Sequence, residues 1–153
     1  MEINFILICT IIGYLIGSFS IARLVTRIAA PGQDLGSVEL PDRNTGGTFQ
    51  VKTVGATTAS MILGPKVGGL IGILDILKGA VPALIVRIIF PDQPYFLFTG
   101  LAVVIGHVWP IYYRFRGGGG LSPALGTLLV LDPLGTLVSV ILAFLIGMFL
   151  LKE

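Results

Sequence analysis

The stretch GHVWPIYYRFRGGGG, residues 106–120, combines the residue types that bind an anion. It contains the only histidine of the chain, His107, two arginines, Arg114 and Arg116, and four consecutive glycines, Gly117 to Gly120. Guanidinium groups supply positive charge, and glycines let backbone N–H groups approach an oxyanion without a side chain in the way. The stretch therefore predicts an anion site. The alternative is a positively charged turn between two membrane helices.

Asp75 and Lys78 are ionisable residues inside an otherwise apolar run. A spacing of three residues puts them on the same face of a helix. Charged groups at membrane depth are costly, so they face a polar interior or pair with each other. Two interpretations follow: a polar pocket that opens toward the inner leaflet, or a self-satisfying pair that orients two helices.

Ser18 ends the first apolar run close to Arg23. A hydroxyl beside guanidinium groups suits phosphate binding, although a serine near a helix end also occurs without a function. His107 is a candidate catalytic residue or a structural hydrogen-bonding residue. It does not belong to a His-x4-Asp acyltransferase pair, because the residue five positions later is Tyr112. That class of enzyme is excluded.

The composition is that of an integral membrane protein. Of the 153 residues, 54% are hydrophobic and 12% are charged, and the mean hydropathy is +0.96. Soluble domains carry about 25% charged residues. A net charge of +2 does not favour a nucleic-acid partner. The sequence suggests neither a metal-ligand cluster nor a cofactor, and Cys9 is the only cysteine.

The apolar runs predict a single all-α, polytopic membrane domain with four to five transmembrane segments. The predicted spans are residues 3–22, 67–90, 95–113, 121–131 and 134–151. Within the polar region we expect a short helix at about Gln50 to Met61. The cations predict that the loops 23–66 and 114–120 lie in the cytoplasm. We therefore expect a multi-pass protein of the bacterial inner membrane, with the N-terminus outside the cell membrane and the C-terminus in the cytoplasm.

Four segments follow one another in a characteristic order: Gly17-Ser18, residues 44–55, Asp75 to Gly79, and residues 106–120. Their order and approximate spacing resemble the PlsY-like family of bacterial acyl-phosphate:glycerol-3-phosphate acyltransferases. The family's first loop reads G-S-G-N-x-G-A-T-N-x-x-R and its second helix D-x-x-K-G. Its next loop reads G-H-x-x-P-x-x-x-x-F-K-G-G-K-G. The resemblance covers most of the chain.

Members of this family are integral membrane enzymes that transfer an acyl group from acyl phosphate to the sn-1 hydroxyl of glycerol 3-phosphate, forming lysophosphatidate. The resemblance implies these two ligands in a membrane-lipid setting. Together with the residue types, it gives Ser18, Asp75, Lys78 and His107 as catalytic candidates. The candidates for phosphate or substrate binding are Arg23, Arg43, Asn44, Gly46, Thr48, Lys52, Arg116, Gly117, Gly118, Gly119 and Gly120.

The chain also departs from the family pattern. Gly119 stands where the family has the lysine of G-G-K-G, and Phe49 stands where it has a second asparagine. The family's last motif, H-x-x-N followed by R-L and G-x-E, does not occur before Glu153. We therefore expect little or no acyl transfer from the isolated chain. Two functions stay open: an acyltransferase of phospholipid biosynthesis with an unusual site, or a non-catalytic pseudoenzyme that packs as a transmembrane subunit in a larger complex.

Overall fold

The computed structural model describes residues 2–33, 35–41, 48–51 and 53–150. It confirms the predicted all-helical membrane class, with one short hairpin in addition. The helices are α1 (Ile3–Ser18), α2 (Ile21–Ala29), α3 (Ala56–Leu63), α4 (Pro65–Ile89), α5 (Tyr95–Val108), α6 (Leu121–Leu131) and α7 (Pro133–Leu150). Short 3-10 turns cover Leu35–Ser37 and Ile111–Tyr113. The strands β1 (Val38–Pro41) and β2 (Thr48–Val51) pair antiparallel, with Val38 opposite Val51.

Three helical segments in the described part of the chain are long and apolar enough to cross a membrane: residues 3–29, 65–89 and 95–113. Two shorter apolar helices, α6 and α7, follow them. Large apolar side chains on these helices are exposed, including Ile73 at 58% and Leu101 at 60%. Such side chains are suited to contact lipid tails, so the fold agrees with four to five membrane segments.

The first apolar run is two helices and not one. α1 ends at Ser18, and the backbone of Phe19 and Ser20 is extended. The Ser20 hydroxyl then accepts a hydrogen bond from the Arg23 backbone N–H at 3.3 Å, which caps the start of α2. Because the helix stops here, carbonyl groups at the end of α1 lack intrahelical partners. The candidate site uses two of them.

Glycines allow the helices to approach each other closely. A Cβ at Gly17 of α1 would clash with the Val103 backbone of α5, and a Cβ at Gly79 of α4 would clash with the Pro123 backbone of α6. These contacts place the end of α1 beside the end of α5. They also place the start of α6 beside the middle of α4. Lys78 of α4 also bonds to the carbonyl groups at the end of α1, which joins the two pairs of helices.

We expect Gly79→Ala to destabilise the protein by about 1–3 kcal/mol, because its Cβ would overlap backbone atoms that cannot rotate away. Gly69→Ala is the matched control in the same helix, since nothing lies within 4 Å of its Cβ position. The control should be neutral or stabilising by up to about 1 kcal/mol. Unfolding of both purified variants in detergent measures the difference. Equal stability of the two would contradict the close packing of α4 on α6.

Candidate functional site

The ammonium group of Lys78 lies at the centre of the candidate site. Its Nζ donates hydrogen bonds to the carbonyl oxygens of Gly17 at 3.2 Å and Phe19 at 2.9 Å. It also lies 3.1 Å from Asp75 Oδ1 and 2.9 Å from His107 Nδ1. The side chains of Lys78 and Asp75 are only 6% and 3% exposed. The network is therefore desolvated, and it joins α1, α4 and α5.

This arrangement contains elements of both interpretations of Asp75 and Lys78. The two residues pair on one face of α4, and Lys78 binds the end of α1, so the pair orients helices. The same cluster also borders two cavities. Lys78 lines an apolar groove, while Asp75 and His107 line a polar cavity.

The glycine loop, residues 117–120, is fixed between α5 and the segment that precedes α3. The Gly118 N–H donates to the His107 carbonyl at 3.0 Å, and the Gly117 carbonyl accepts from the Val54 N–H at 2.9 Å. A Cβ on Gly118 would clash with His107 Nε2 and lie 2.9 Å from the Val54 carbonyl. By contrast, nothing lies within 4 Å of a Cβ on Gly119. Position 118 therefore has no room for a side chain, whereas position 119 does.

The turn before the glycine loop contains two consecutive non-glycine residues in the left-handed region, Arg114 at φ 52° and Phe115 at φ 59°. This conformation is uncommon for residues with a side chain. The turn is held by hydrogen bonds to backbone carbonyls: the Phe115 N–H donates to Pro110 at 3.0 Å and the Arg116 N–H donates to Tyr113 at 3.1 Å. The loop therefore enters the site with a defined backbone direction.

The polar cavity has a volume of about 170 Å³ and lies between the starts of two helices. Gly55 precedes α3 and Gly120 precedes α6, and both line the cavity. The first turn of a helix has unpaired N–H groups and carries partial positive charge, so two converging starts favour an anion. The other polar lining residues include Thr57, Ser122, Asp75 and His107.

An apolar groove of about 550 Å³ lies on the other side of the Lys78 network. α1, α4 and α5 line it, with Cys9, Ile12, Ile16, Leu77, Val81 and Ile85 among its residues. Its volume falls within the range of about 300–1,000 Å³ that is typical of small-molecule sites. An apolar groove and a polar cavity therefore meet at one ionisable cluster.

The predicted site residues Arg23, Arg116 and Ser18 do not line the polar cavity. Arg23 donates from Nη2 to the Arg116 carbonyl at 3.0 Å, and its guanidinium group lies 5.0 Å from the centre of the Tyr113 ring. Arg23 thus supports the glycine loop. The Arg116 residue is exposed. Ser18 is fully buried, and its Oγ accepts from the Ile111 N–H at 3.4 Å. Their roles in phosphate binding or catalysis stay predictions.

The region of the first predicted loop is described only in part. Thr48 begins β2 and is exposed. The predicted site residues Arg43, Asn44, Gly46 and Lys52 lie outside the described residues. The two loops nevertheless meet, because Val54 of this region bonds to Gly117 of the glycine loop.

The prediction from sequence missed the hydroxyl residues at the start of α3 and α6. Thr57 and Ser122 line the polar cavity. The signal was present in the sequence: in each case a glycine is followed two positions later by a hydroxyl residue at the start of an apolar helix. Thr58, which also lines the cavity, uses its hydroxyl locally, donating to the Thr53 carbonyl at 2.5 Å.

Comparison with known proteins decides the family. The family profile described as glycerol-3-phosphate acyltransferase matches residues 7–152. The chain belongs to the glycerol-3-phosphate acyltransferase family. The predicted resemblance to PlsY-like proteins is therefore confirmed.

Two relatives show how much of the glycerol-3-phosphate acyltransferase length this chain spans. The glycerol-3-phosphate acyltransferase of Aquifex aeolicus is 37% identical over 148 residues, which cover 96% of this chain and 69% of the relative. That of Myxococcus xanthus is 37% identical over 124 residues, which cover 80% of this chain and 58% of the relative. The chain thus spans 69% of the length of the first relative and 58% of the length of the second.

Solved structures of PlsY, an integral membrane glycerol 3-phosphate acyltransferase, have the same fold. The glycerol 3-phosphate form has a TM-score of 0.76 and 36% identity, covering 94% of this chain and 66% of the PlsY chain. The lysophosphatidic acid form has a TM-score of 0.72 and 34% identity, covering 97% of this chain and 66% of the PlsY chain. The chain spans slightly less than two thirds of these structures.

Proposed function

We propose that this chain serves glycerol-3-phosphate acyltransferase chemistry, with an acyl phosphate as donor and lysophosphatidate as product. The observation that carries the proposal is the junction at Asp75, Lys78 and His107, where the apolar groove meets the polar cavity. An acyl phosphate needs an apolar surface for its chain and N–H donors for its phosphate. The groove and the cavity supply both within one site.

In the proposed reaction, the hydroxyl oxygen of glycerol 3-phosphate forms a bond with the acyl carbon. The bond from that carbon to the phosphate oxygen breaks, and phosphate leaves with the electron pair while the hydroxyl proton passes to phosphate or water. Phosphate is already a good leaving group, so the site mainly has to hold and orient two anionic reactants. The helix starts at Gly55 and Gly120 suit that task.

We also propose that the polar cavity faces the cytoplasm of a bacterial inner membrane, with the N-terminus outside. Cations cluster at the cavity end of the fold: Arg23 and Arg27 in α2, Lys66 at the start of α4, and Arg114 and Arg116 in the turn before the glycine loop. An excess of Lys and Arg marks the cytoplasmic side of membrane proteins.

Acyl transfer by the purified chain tests the proposal. The chain, in detergent or lipid bilayers, is incubated with palmitoyl phosphate and glycerol 3-phosphate, and lysophosphatidate is identified by mass spectrometry. We expect slow formation of this product that depends on both substrates. Absence of product together with absence of glycerol 3-phosphate binding by folded protein would overturn the proposal.

One observation favours the second candidate function, a non-catalytic membrane subunit. Among the described residues that line the polar cavity there is no Lys or Arg, and Gly119 occupies the family's lysine position. Removing one preorganised donor at a reacting centre typically costs about a hundredfold to a thousandfold in rate. Glycerol 3-phosphate binding without any product would support this candidate.

We expect Gly119→Lys to tighten glycerol 3-phosphate binding by about threefold to tenfold, as one partly exposed charge-assisted hydrogen bond would. The open space around the Gly119 Cβ position allows the side chain to be added without a clash. Gly119→Gln is the matched control, because it adds a similar length without charge. Titration calorimetry at low salt measures both variants. A gain of the same size in the glutamine variant would show that charge is not responsible.

A further inference from the structure

We propose that Lys78 is a positioning residue that holds His107 in a single tautomer, with the ring hydrogen on Nε2 facing the polar cavity. In this state the imidazole donates a hydrogen bond to an anion in the cavity. The tautomer is inferred from the contacts of His107 in the ligand-free chain. The donation to an anion rests on the proposed function.

The contact between Lys78 and His107 fixes the role of Nδ1. Lys78 Nζ lies 2.9 Å from His107 Nδ1. An ammonium group has three hydrogens to donate and accepts no hydrogen bond, so Nδ1 must be the acceptor and carry no hydrogen. A neutral imidazole whose Nδ1 accepts has its hydrogen on Nε2. Lys78, by donating to Nδ1, therefore determines that Nε2 carries the ring hydrogen.

Asp75 is the competing partner for Nδ1, since a carboxylate would select the opposite tautomer. Its Oδ1 is 3.6 Å from His107 Nδ1 but 3.1 Å from Lys78 Nζ. A distance of 3.6 Å is too long for a hydrogen bond, since N–H···O distances in proteins are typically about 2.7–3.2 Å. The carboxylate therefore pairs with the ammonium and not with the imidazole.

The other partners of Lys78, the carbonyls at the end of α1, hold its ammonium group in place beside His107 Nδ1. Nζ donates to the carbonyls of Gly17 and Phe19, which are left free by the break between α1 and α2. Among the described residues, the polar atoms within 3.2 Å of Nζ are all acceptors: two carbonyls, one carboxylate oxygen and Nδ1. The three ammonium hydrogens are directed at the two carbonyls and Nδ1, while Asp75 Oδ1 forms an ion pair without a hydrogen bond. A break in α1 therefore helps to define the state of a histidine on α5.

The other ring nitrogen of His107 lies beside the glycine loop, of which Gly119 and Gly120 line the polar cavity. A Cβ on Gly118 would clash with Nε2, so this atom points at the glycine loop. His107 lines the polar cavity together with Gly119 and Gly120. Within residues 2–33, 35–41, 48–51 and 53–150, Nε2 has no hydrogen-bond partner. An Nε2–H group is therefore available to a phosphate oxygen, and His107 acts as a donor and not as a general base.

The chain offers a direct test because His107 is its only histidine. Protein labelled with 15N-histidine and freed of any affinity tag gives one pair of ring nitrogen signals. Long-range 1H–15N correlation at about pH 8, where free histidine is neutral, distinguishes a protonated ring nitrogen from an unprotonated one. We expect a protonated Nε2 and an unprotonated Nδ1. A protonated Nδ1 in the folded wild-type chain would overturn the inference.

Two variants separate Lys78 from Asp75. Lys78→Met should produce a mixture of tautomers or a protonated Nδ1, because Asp75 then becomes the nearest partner. Asp75→Asn should keep the wild-type pattern. Lys66→Met, in the exposed first turn of α4, should also keep it. A wild-type pattern in folded Lys78→Met, or a switched tautomer in Asp75→Asn, would overturn the role of Lys78. If Lys78→Met does not fold, the wild-type and Asp75→Asn spectra still test the inference. A protonated Nδ1 in either folded protein would overturn it.

Titration with glycerol 3-phosphate and, separately, inorganic phosphate tests the donated hydrogen bond. We expect the Nε2 signal and its attached proton to shift while Nδ1 stays unprotonated. Saturation confirmed by calorimetry with no change at Nε2 would contradict the donor role. If neither ligand binds and the acyl-transfer assay gives no product, the proposed function fails, and the ligand-free spectrum still supports or overturns the tautomer by itself.

Discussion

Replacing Gly118 by alanine lowers the affinity for glycerol 3-phosphate at least about tenfold, a loss of about 1.4 kcal/mol. The new Cβ clashes with His107 Nε2 and approaches the Val54 carbonyl, so the ring or the loop must move. Overpacking of this kind typically costs about 1–3 kcal/mol. Either movement displaces the His107 donor or reshapes the polar cavity. Calorimetric titration of the purified variant measures the loss.

Gly119→Ala is the control for this substitution. It makes the same chemical change at the next residue, but its Cβ enters open space. We expect its affinity to stay within about threefold of wild type, a difference below about 1 kcal/mol. Thermal unfolding verifies that both variants are folded. If the two substitutions weaken binding equally, the contact between Gly118 and His107 is not what shapes the site.

Replacing Lys78 by methionine destabilises the protein by about 3–5 kcal/mol, the cost of removing one partner of a buried ion pair. Asp75 then keeps a buried negative charge, and the carbonyls of Gly17 and Phe19 lose their donor. Lys66→Met, at the exposed start of the same helix, should change stability by less than about 0.5 kcal/mol. Chemical unfolding in detergent measures both variants.

The double variant Asp75→Leu with Lys78→Met separates the charge from the packing. Replacing a whole buried ion pair by apolar residues of similar volume is often close to neutral. We therefore expect the double variant to recover part of the stability lost in Lys78→Met, while the two carbonyls stay unpaired. A double variant less stable than Lys78→Met alone would contradict the buried charge as the main cause.

The sequence was sufficient for the parts of the fold that depend on local composition. Uninterrupted apolar runs predict membrane helices, because a helix that crosses the hydrocarbon core of a bilayer needs about 20 mostly apolar residues. The spacing of Asp75 and Lys78 predicts a shared helix face, and the two side chains are in contact in the structure. The glycine run predicts a loop whose backbone N–H groups can approach an anion, and the structure shows this loop bonded to the His107 carbonyl.

Other parts depend on contacts that no local pattern contains. The break at Phe19 and Ser20 falls in an uncharged run, and it is stabilised by a cap and by Lys78, distant in sequence. The two paired strands were missed because each has only four residues, so the alternation in VELP and TFQV was too short to be recognised as a strand pattern. A helix was expected from Gln50, but β2 ends at Val51 and α3 begins only at Ala56.

The candidate site divides in the same way. Residue spacing predicted that Asp75 and Lys78 share a helix face, and His107 was a separate candidate whose contact with Lys78 was not predicted. They did not predict that α3 and α6 start at the same cavity, because that depends on the packing of α4 against both helices. Nor did they predict that Arg23 contacts the Arg116 carbonyl and the Tyr113 ring. The direction in which Arg23 points depends on how α2 packs in the tertiary fold, which the local sequence does not show.

A crystal structure of this chain with bound glycerol 3-phosphate tests the central claim most directly. Our account predicts phosphate density in the polar cavity, between the N–H groups that follow Gly55 and Gly120 and within hydrogen-bonding distance of His107 Nε2. Phosphate density held by the exposed side chains of Arg114 and Arg116, with the polar cavity empty of ligand, would contradict it.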